Sequence, residues 1–170
     1  MSQTTDIKEI IEKCHINDPL QLKKIIEGVM SLARQAPTVS KTILLASDIE
    51  EDFYTAASNL YESGRYEEAI EIFEKLIMLD ILSYRYTLGL GACYHQMNQH
   101  AKALPYYLFA SINNPSSPEP SFFAAECCLE LDKKKAALFF FEETLQKIGE
   151  KKDFLQLKER AELLIPALKK

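Results

Sequence analysis

An all-α solenoid of stacked helix pairs is the fold class this sequence predicts, and three observations predict it. A period of 34 residues recurs three times without an insertion. The 170-residue chain has only 5 Gly and 7 Pro, too few for turn-dense all-β architecture. Apolar residues outside the period recur at helical spacing, so the flanks read as helices too. Hydrophobic residues make up 47 % of the chain, enough for a packed core and too much for a disordered one.

The elements follow in order. Ile7, Ile10, Ile11 and Cys14 carry helix spacing, and the Asn17-Asp18-Pro19 turn stops that segment. Leu22, Ile25, Ile26, Val29 and Leu32 form a second apolar stripe. The stretch 35–46 contains Pro37 and reads as a connector. Ser47 and Glu50 have the spacing of a capping box that would open the first repeat. The repeats then run 50–83, 84–117 and 118–151. The predicted helix pairs are 48–62 with 66–79, 84–97 with 100–113, and 118–131 with 134–148.

Each recurring position has a physical reason. Position 8 is Ala57, Gly91 and Ala125; position 20 is Ala69, Ala103 and Ala137. Small residues there let two helices approach closely. Position 24 is Phe73, Tyr107 and Phe141, a large plug for the next repeat. Position 15 is Gly64, Asn98 and Asp132, in the turn between the helices of a pair, where a positive φ is needed. After the repeats, Phe154, Leu157, Ala161, Leu164 and Leu168 line one face of a helix that would cap the open end. Pro166 is expected to end that helix or lie in its last turn. The organisation expected is thus an N-terminal helical region at 1–46, three repeats at 47–151 and a capping helix at 152–170.

This pattern resembles the tetratricopeptide (TPR) family. On the first helix of each repeat, positions 4, 7, 8 and 11 face the packed interior. Positions 2, 5, 9 and 12 centre roughly 130° away, at ~100° per residue, and the resemblance places them on the concave side. They are Glu51, Tyr54, Ser58 and Tyr61, then Arg85, Leu88, Ala92 and His95, then Glu119, Phe122, Glu126 and Leu129. Aromatic and apolar members on such a face point to a peptide groove; a solvated helix face would be more charged.

Several chemistries are excluded or disfavoured. The net charge of −5 and dispersed basic residues argue against phosphate-mediated nucleic-acid binding; the longest basic run is Lys133-Lys134-Lys135. Cys14, Cys93, Cys127 and Cys128 lack C-x-x-C pairing, and the three His do not cluster with them in sequence. No metal site is therefore expected. Three of these thiols fall at repeat positions 10 and 11, as packing residues. No Ser/His/Asp or Gly-rich phosphate motif is present, so neither catalysis nor a cofactor is expected. Met1 to Asp6 is polar, with no basic region leading into an apolar run. No stretch reaches the ~18 apolar residues of a membrane helix. The expectation is a cytoplasmic protein without membrane insertion.

Three stretches carry a narrower resemblance: Leu60-Tyr-Glu-Ser-Gly-Arg-Tyr-Glu-Glu-Ala69, Leu79-Asp80 with Tyr84-Arg-Tyr-Thr-Leu-Gly-Leu-Gly-Ala-Cys93, and Ala124-Ala-Glu-Cys127. They resemble the class II chaperones of bacterial type III secretion, the SycD/LcrH family. His100 stands where that family usually has an aromatic, and Asp132 where Gly is common. The resemblance implies an ATP-independent bacterial chaperone that is commonly dimeric through its N-terminal region. It would hold an extended segment of a hydrophobic translocator protein in the groove. Tyr54 and Tyr61 match the family's groove tyrosines, and Leu88 and His95 occupy the same face of the second repeat. Self-association would use Ile7, Ile10, Ile11, Leu22, Ile25, Ile26 and Val29. The alternatives are that residues 1–46 fold back on their own chain, and that the protein is a generic TPR adaptor for another assembly.

Overall fold

The structure is a computed structural model. It describes residues 46–169 together with Asp18, Leu20, Lys23, Lys24 and Glu27. Among the described residues from Ala46 onward there are seven α-helices and no strand: α1 (Ala46–Glu62), α2 (Tyr66–Leu79), α3 (Tyr84–Gln96), α4 (His100–Asn113), α5 (Glu119–Glu130), α6 (Lys134–Ile148) and α7 (Leu155–Leu168). A short 3-10 turn, Lys152–Phe154, leads into α7. Each helix packs chiefly on the one before and the one after it. This is the solenoid of three helix pairs that the period predicts, closed by the capping helix that the apolar stripe after it predicts. α1 already includes Ala46, so position 47 lies inside the helix and not at the start expected for a capping box.

The turn within each pair is the same structure three times. Gly64, Asn98 and Asp132 have φ of 78°, 57° and 55°. Around them Arg65, Gln99 and Lys133 donate to the carbonyls of Leu60, Tyr94 and Cys128 at 2.9, 2.9 and 2.7 Å. These five-residue-back bonds close Schellman motifs, which require a left-handed residue at that place.

Packing explains the small positions. Ala57, Ala69, Ala103, Ala125 and Ala137 are all 0 % exposed. Phe73, Tyr107 and Phe141 fill the spaces between pairs and are buried as well. The two glycines of α3 are where these plugs land. A Cβ on Gly89 would sit 2.5 Å from Phe73 Cζ, and one on Gly91 would sit 3.0 Å from the Tyr107 ring. A side chain at Gly89 would hold the first two pairs apart, and one at Gly91 would hold apart the two helices of the second pair. Cys93, Cys127 and Cys128 are buried free thiols, as repeat positions 10 and 11 imply; Cys14 lies outside the described residues.

The ends differ from the middle. Phe53, expected to face the interior, is 47 % exposed. At the other end α7 closes the stack through buried Ala161 and Ile165, with Leu157, Leu164 and Leu168 packed alongside. Pro166 lies within its last turn.

Part of the N-terminal region folds back on its own chain. Leu20 packs against the core, and its amide donates to Asp18 Oδ1 at 3.0 Å, after the turn read at 17–19. Lys23 Nζ reaches both carboxylate oxygens of Glu143 at 2.8 Å, with the Phe139 and Phe140 rings 5.5 and 5.6 Å from it. Glu143 also pairs with Lys147, which donates to Ser111 and Ser121. Ile7, Ile10, Ile11, Leu22, Ile25, Ile26 and Val29 lie outside the described residues.

Candidate peptide-binding groove

The first helices α1, α3 and α5 stand side by side, so a side chain at one repeat position neighbours the residue 34 later. Glu51 and Arg85 share position 2 and form a two-pronged ion pair at 2.8 and 2.9 Å. Arg85 also covers the Tyr54 ring, its Cζ 3.7 Å from the ring centroid. That guanidinium holds the Glu51 carboxyl below its usual range. Tyr54 is half-buried; its ring meets Phe73 edge-on and tilts against Tyr86, each at 6.0 Å. One turn along, the Ser58 hydroxyl donates to the Tyr54 carbonyl at 2.9 Å. Tyr61 is half-buried against Tyr66 and accepts a long bond from Gln96. Burial raises its phenol above the usual range. Leu88 and Ala92 are partly exposed on α3, between these two sides.

His95 ends this row, and the structure gives it partners the sequence did not suggest. Its Nδ1 lies 3.2 Å from the Tyr107 hydroxyl, and its ring meets His100 and Phe123 edge-on at 5.1 and 6.1 Å. Phe123 stacks on Tyr107 at 5.4 Å. Burial, with His100 and Arg160 nearby, lowers the His95 pKa, and Glu130 opposes that shift.

The third repeat departs from expectation. Phe122 is only 3 % exposed and belongs to the core, not to the groove. Its ring packs on Phe141 at 5.6 Å, and Arg160 of α7 lies over it. Glu126 is bound as well: its carboxylate pairs with Arg160 at 2.6 Å. Burial raises the Glu126 pKa, and Arg160 pulls it back. The cap thus occupies this part of the face. Arg160 lies 34 residues after Glu126, as Arg85 lies 34 after Glu51. Extending the period into α7 would have placed Arg160 on the same face from sequence. Phe123 carries no such signal, because position 6 is Thr55 and Gly89 in the other repeats.

The first two repeats therefore present Tyr54, Tyr61, Leu88 and Ala92 beside a charged rim of Glu51 and Arg85. Such a face can take apolar side chains of an extended segment and offer polar groups to its backbone.

A model of the anaphase-promoting complex, cyclosome, subunit 3 family matches residues 62–144, within the helix repeats. The low calcium response locus protein H of Yersinia pestis is 34 % identical over 142 residues, covering 82 % of this chain and 83 % of that protein. The Yersinia enterocolitica type III secretion chaperone SycD, solved in complex with a peptide of the translocator YopD, is 33 % identical. Its TM-score is 0.71, and the match covers 74 % of this chain and 96 % of SycD. SycD solved as an alternative dimer superposes with a TM-score of 0.70 at 33 % identity, over 74 % of this chain and 96 % of that one.

Proposed function

We propose, because the chain belongs to the SycD/LcrH family of type III secretion chaperones, that it binds an extended segment of a hydrophobic type III secretion translocator and keeps that client soluble for export. The observation that carries this reading is a relative's complex with a translocator peptide, on a chain 33 % identical over 74 % of this one. The segment would lie along α1 and α3, over Tyr54, Tyr61, Leu88 and Ala92. Glu51, Arg85, Ser58 and His95 would border it. A rigid groove gripping one extended segment needs no nucleotide and performs no turnover, so the protein acts in the cytoplasm as a binding chaperone and not as an enzyme. Among the described residues no helix is long and apolar enough to cross a membrane.

Self-association is part of this proposal. Residues 1–46 would form the dimerisation region through Ile7, Ile10, Ile11, Leu22, Ile25, Ile26 and Val29, while Leu20 and Lys23 engage their own repeats. Sedimentation of the full chain and of a chain lacking 1–46 tests it. A full chain that stays monomeric at tens of micromolar would sink the idea.

The groove is tested by calorimetric titration with the N-terminal segment of a translocator. Tyr54→Ala with Leu88→Ala should weaken binding at least tenfold, about 1.4 kcal/mol. Tyr54 packs on Phe73, so this pair also lowers stability. Ala92→Glu is the cleaner companion, since it adds charge and bulk to the wall while removing no contact. Lys75→Ala, on an exposed face of α2, should leave affinity unchanged. Unaltered binding by both groove variants would refute this site.

A further inference from the structure

The turn between α3 and α4 sets two imidazoles side by side. His95 lies near the end of α3 and His100 opens α4. The Schellman bonds around Asn98 fix the path between them, with Asn98 donating to the His95 carbonyl at 2.9 Å. The rings end 5.1 Å apart at 79°. Stacking the third repeat then brings Cys127 of α5 against the pair. One nitrogen from each ring and the Cys127 sulfur all lie within 4.8 Å of one another.

Two further observations bear on what this cluster is for. His100 Nδ1 is buried with no hydrogen-bond partner, a costly arrangement for a polar atom with no other role. His95 is braced by the Tyr107 hydroxyl, 3.2 Å from its Nδ1, a neighbour of the kind that orients a metal-binding imidazole. Glu130 and the cationic Arg160 act on His95 in opposite senses, so the donors themselves, and not a charged surround, would hold the ion.

We propose that His95, His100 and Cys127 form a binding site for Zn2+ at the junction of the second and third repeats. Two imidazoles and a thiolate are a donor set that Zn2+ takes readily. Tetrahedral bonds of about 2.0–2.3 Å put donors about 3.5 Å apart, so the three atoms must close by roughly an ångström. Both His rings are only partly buried and can turn to do so. Binding forms one Zn–S and two Zn–N bonds and breaks the Cys127 S–H bond, and the proton leaves to solvent. Three protein donors leave the ion one further position for water. Because the donors come from α3, α4 and α5, the ion ties two repeats together next to the face that carries His95. This site stands independently of the client reading.

Cobalt titration of the reduced full-length protein tests it, with Co2+ as the coloured stand-in for Zn2+. The wild type should take up one equivalent with a thiolate-to-cobalt charge-transfer band, lose it on adding one equivalent of Zn2+, and release about one proton per Zn2+ bound. Cys14→Ala, Cys93→Ala and Cys128→Ala should keep the band, whereas Cys127→Ala should abolish it. His100→Phe, a ring of similar size at a partly exposed place, should stay folded by circular dichroism and bind at least tenfold more weakly. No thiolate band in the wild type, a band that survives Cys127→Ala, or full affinity in folded His100→Phe would each overturn the proposal.

Discussion

Gly89→Ala isolates the contact that spaces the first two repeats. The added Cβ would lie 2.5, 2.6 and 3.0 Å from Cζ, Cε1 and Cε2 of Phe73, a ring 2 % exposed and held edge-on by Tyr54. Two effects oppose each other. Alanine is favoured over glycine inside a helix by about 1 kcal/mol. Forcing a methyl into a packed core costs about 1–3 kcal/mol. The variant should therefore be less stable by about 1 kcal/mol. All three clashing atoms are absent from leucine, so in a Phe73→Leu background the clash disappears and the helix gain remains. Gly89→Ala should then stabilise by up to about 1 kcal/mol, and the sign change is the signature. Equilibrium urea unfolding of the four proteins gives the cycle, and the cost of Phe73→Leu itself cancels. Stabilisation in the wild-type background, or equal losses in both, would refute the reasoning.

The charge cluster under the N-terminal region predicts an asymmetry. Lys23→Ala leaves Glu143 with Lys147, whereas Glu143→Ala leaves two partly buried ammonium groups facing each other, so urea unfolding should show the second as the costlier by about 1–2 kcal/mol. At the shared turn, Gly64→Ala should lose about 1 kcal/mol of stability because φ is 78°, while Asp132→Gly should lose none. Thermal melts of the two variants should therefore move in different directions or by clearly different amounts. Burial pushes the Cys93 and Cys128 thiols up to about 12. At pH 8 roughly one in 10⁴ would then be thiolate, so site-resolved mass spectrometry should find both unalkylated until the fold opens.

How much of this was legible beforehand follows from which forces act locally. The helix pairs, the three left-handed turn residues, the 0 % exposed alanines and the aromatic plugs all follow from the 34-residue period. Each reflects geometry within one helix or one turn, repeated. The capping helix followed from its own apolar stripe. Tyr54, Tyr61, Leu88 and Ala92 fall on a partly exposed face because helical angle alone decides that. The same rule failed for Phe122, since burial there depends on what lies above the face. Arg160 and α7 cover it, and a wheel drawn for one helix contains no information about the next. The same reason hid the juxtaposition of His95, His100 and Cys127, and left open whether residues 1–46 return onto their own chain, as Leu20 and Lys23 do. Sequence determined the unit and the direction each side chain takes from its helix. Only the stacking of one unit on another decided which of those side chains meet, because contact between repeats is set by packing distance and not by spacing along the chain.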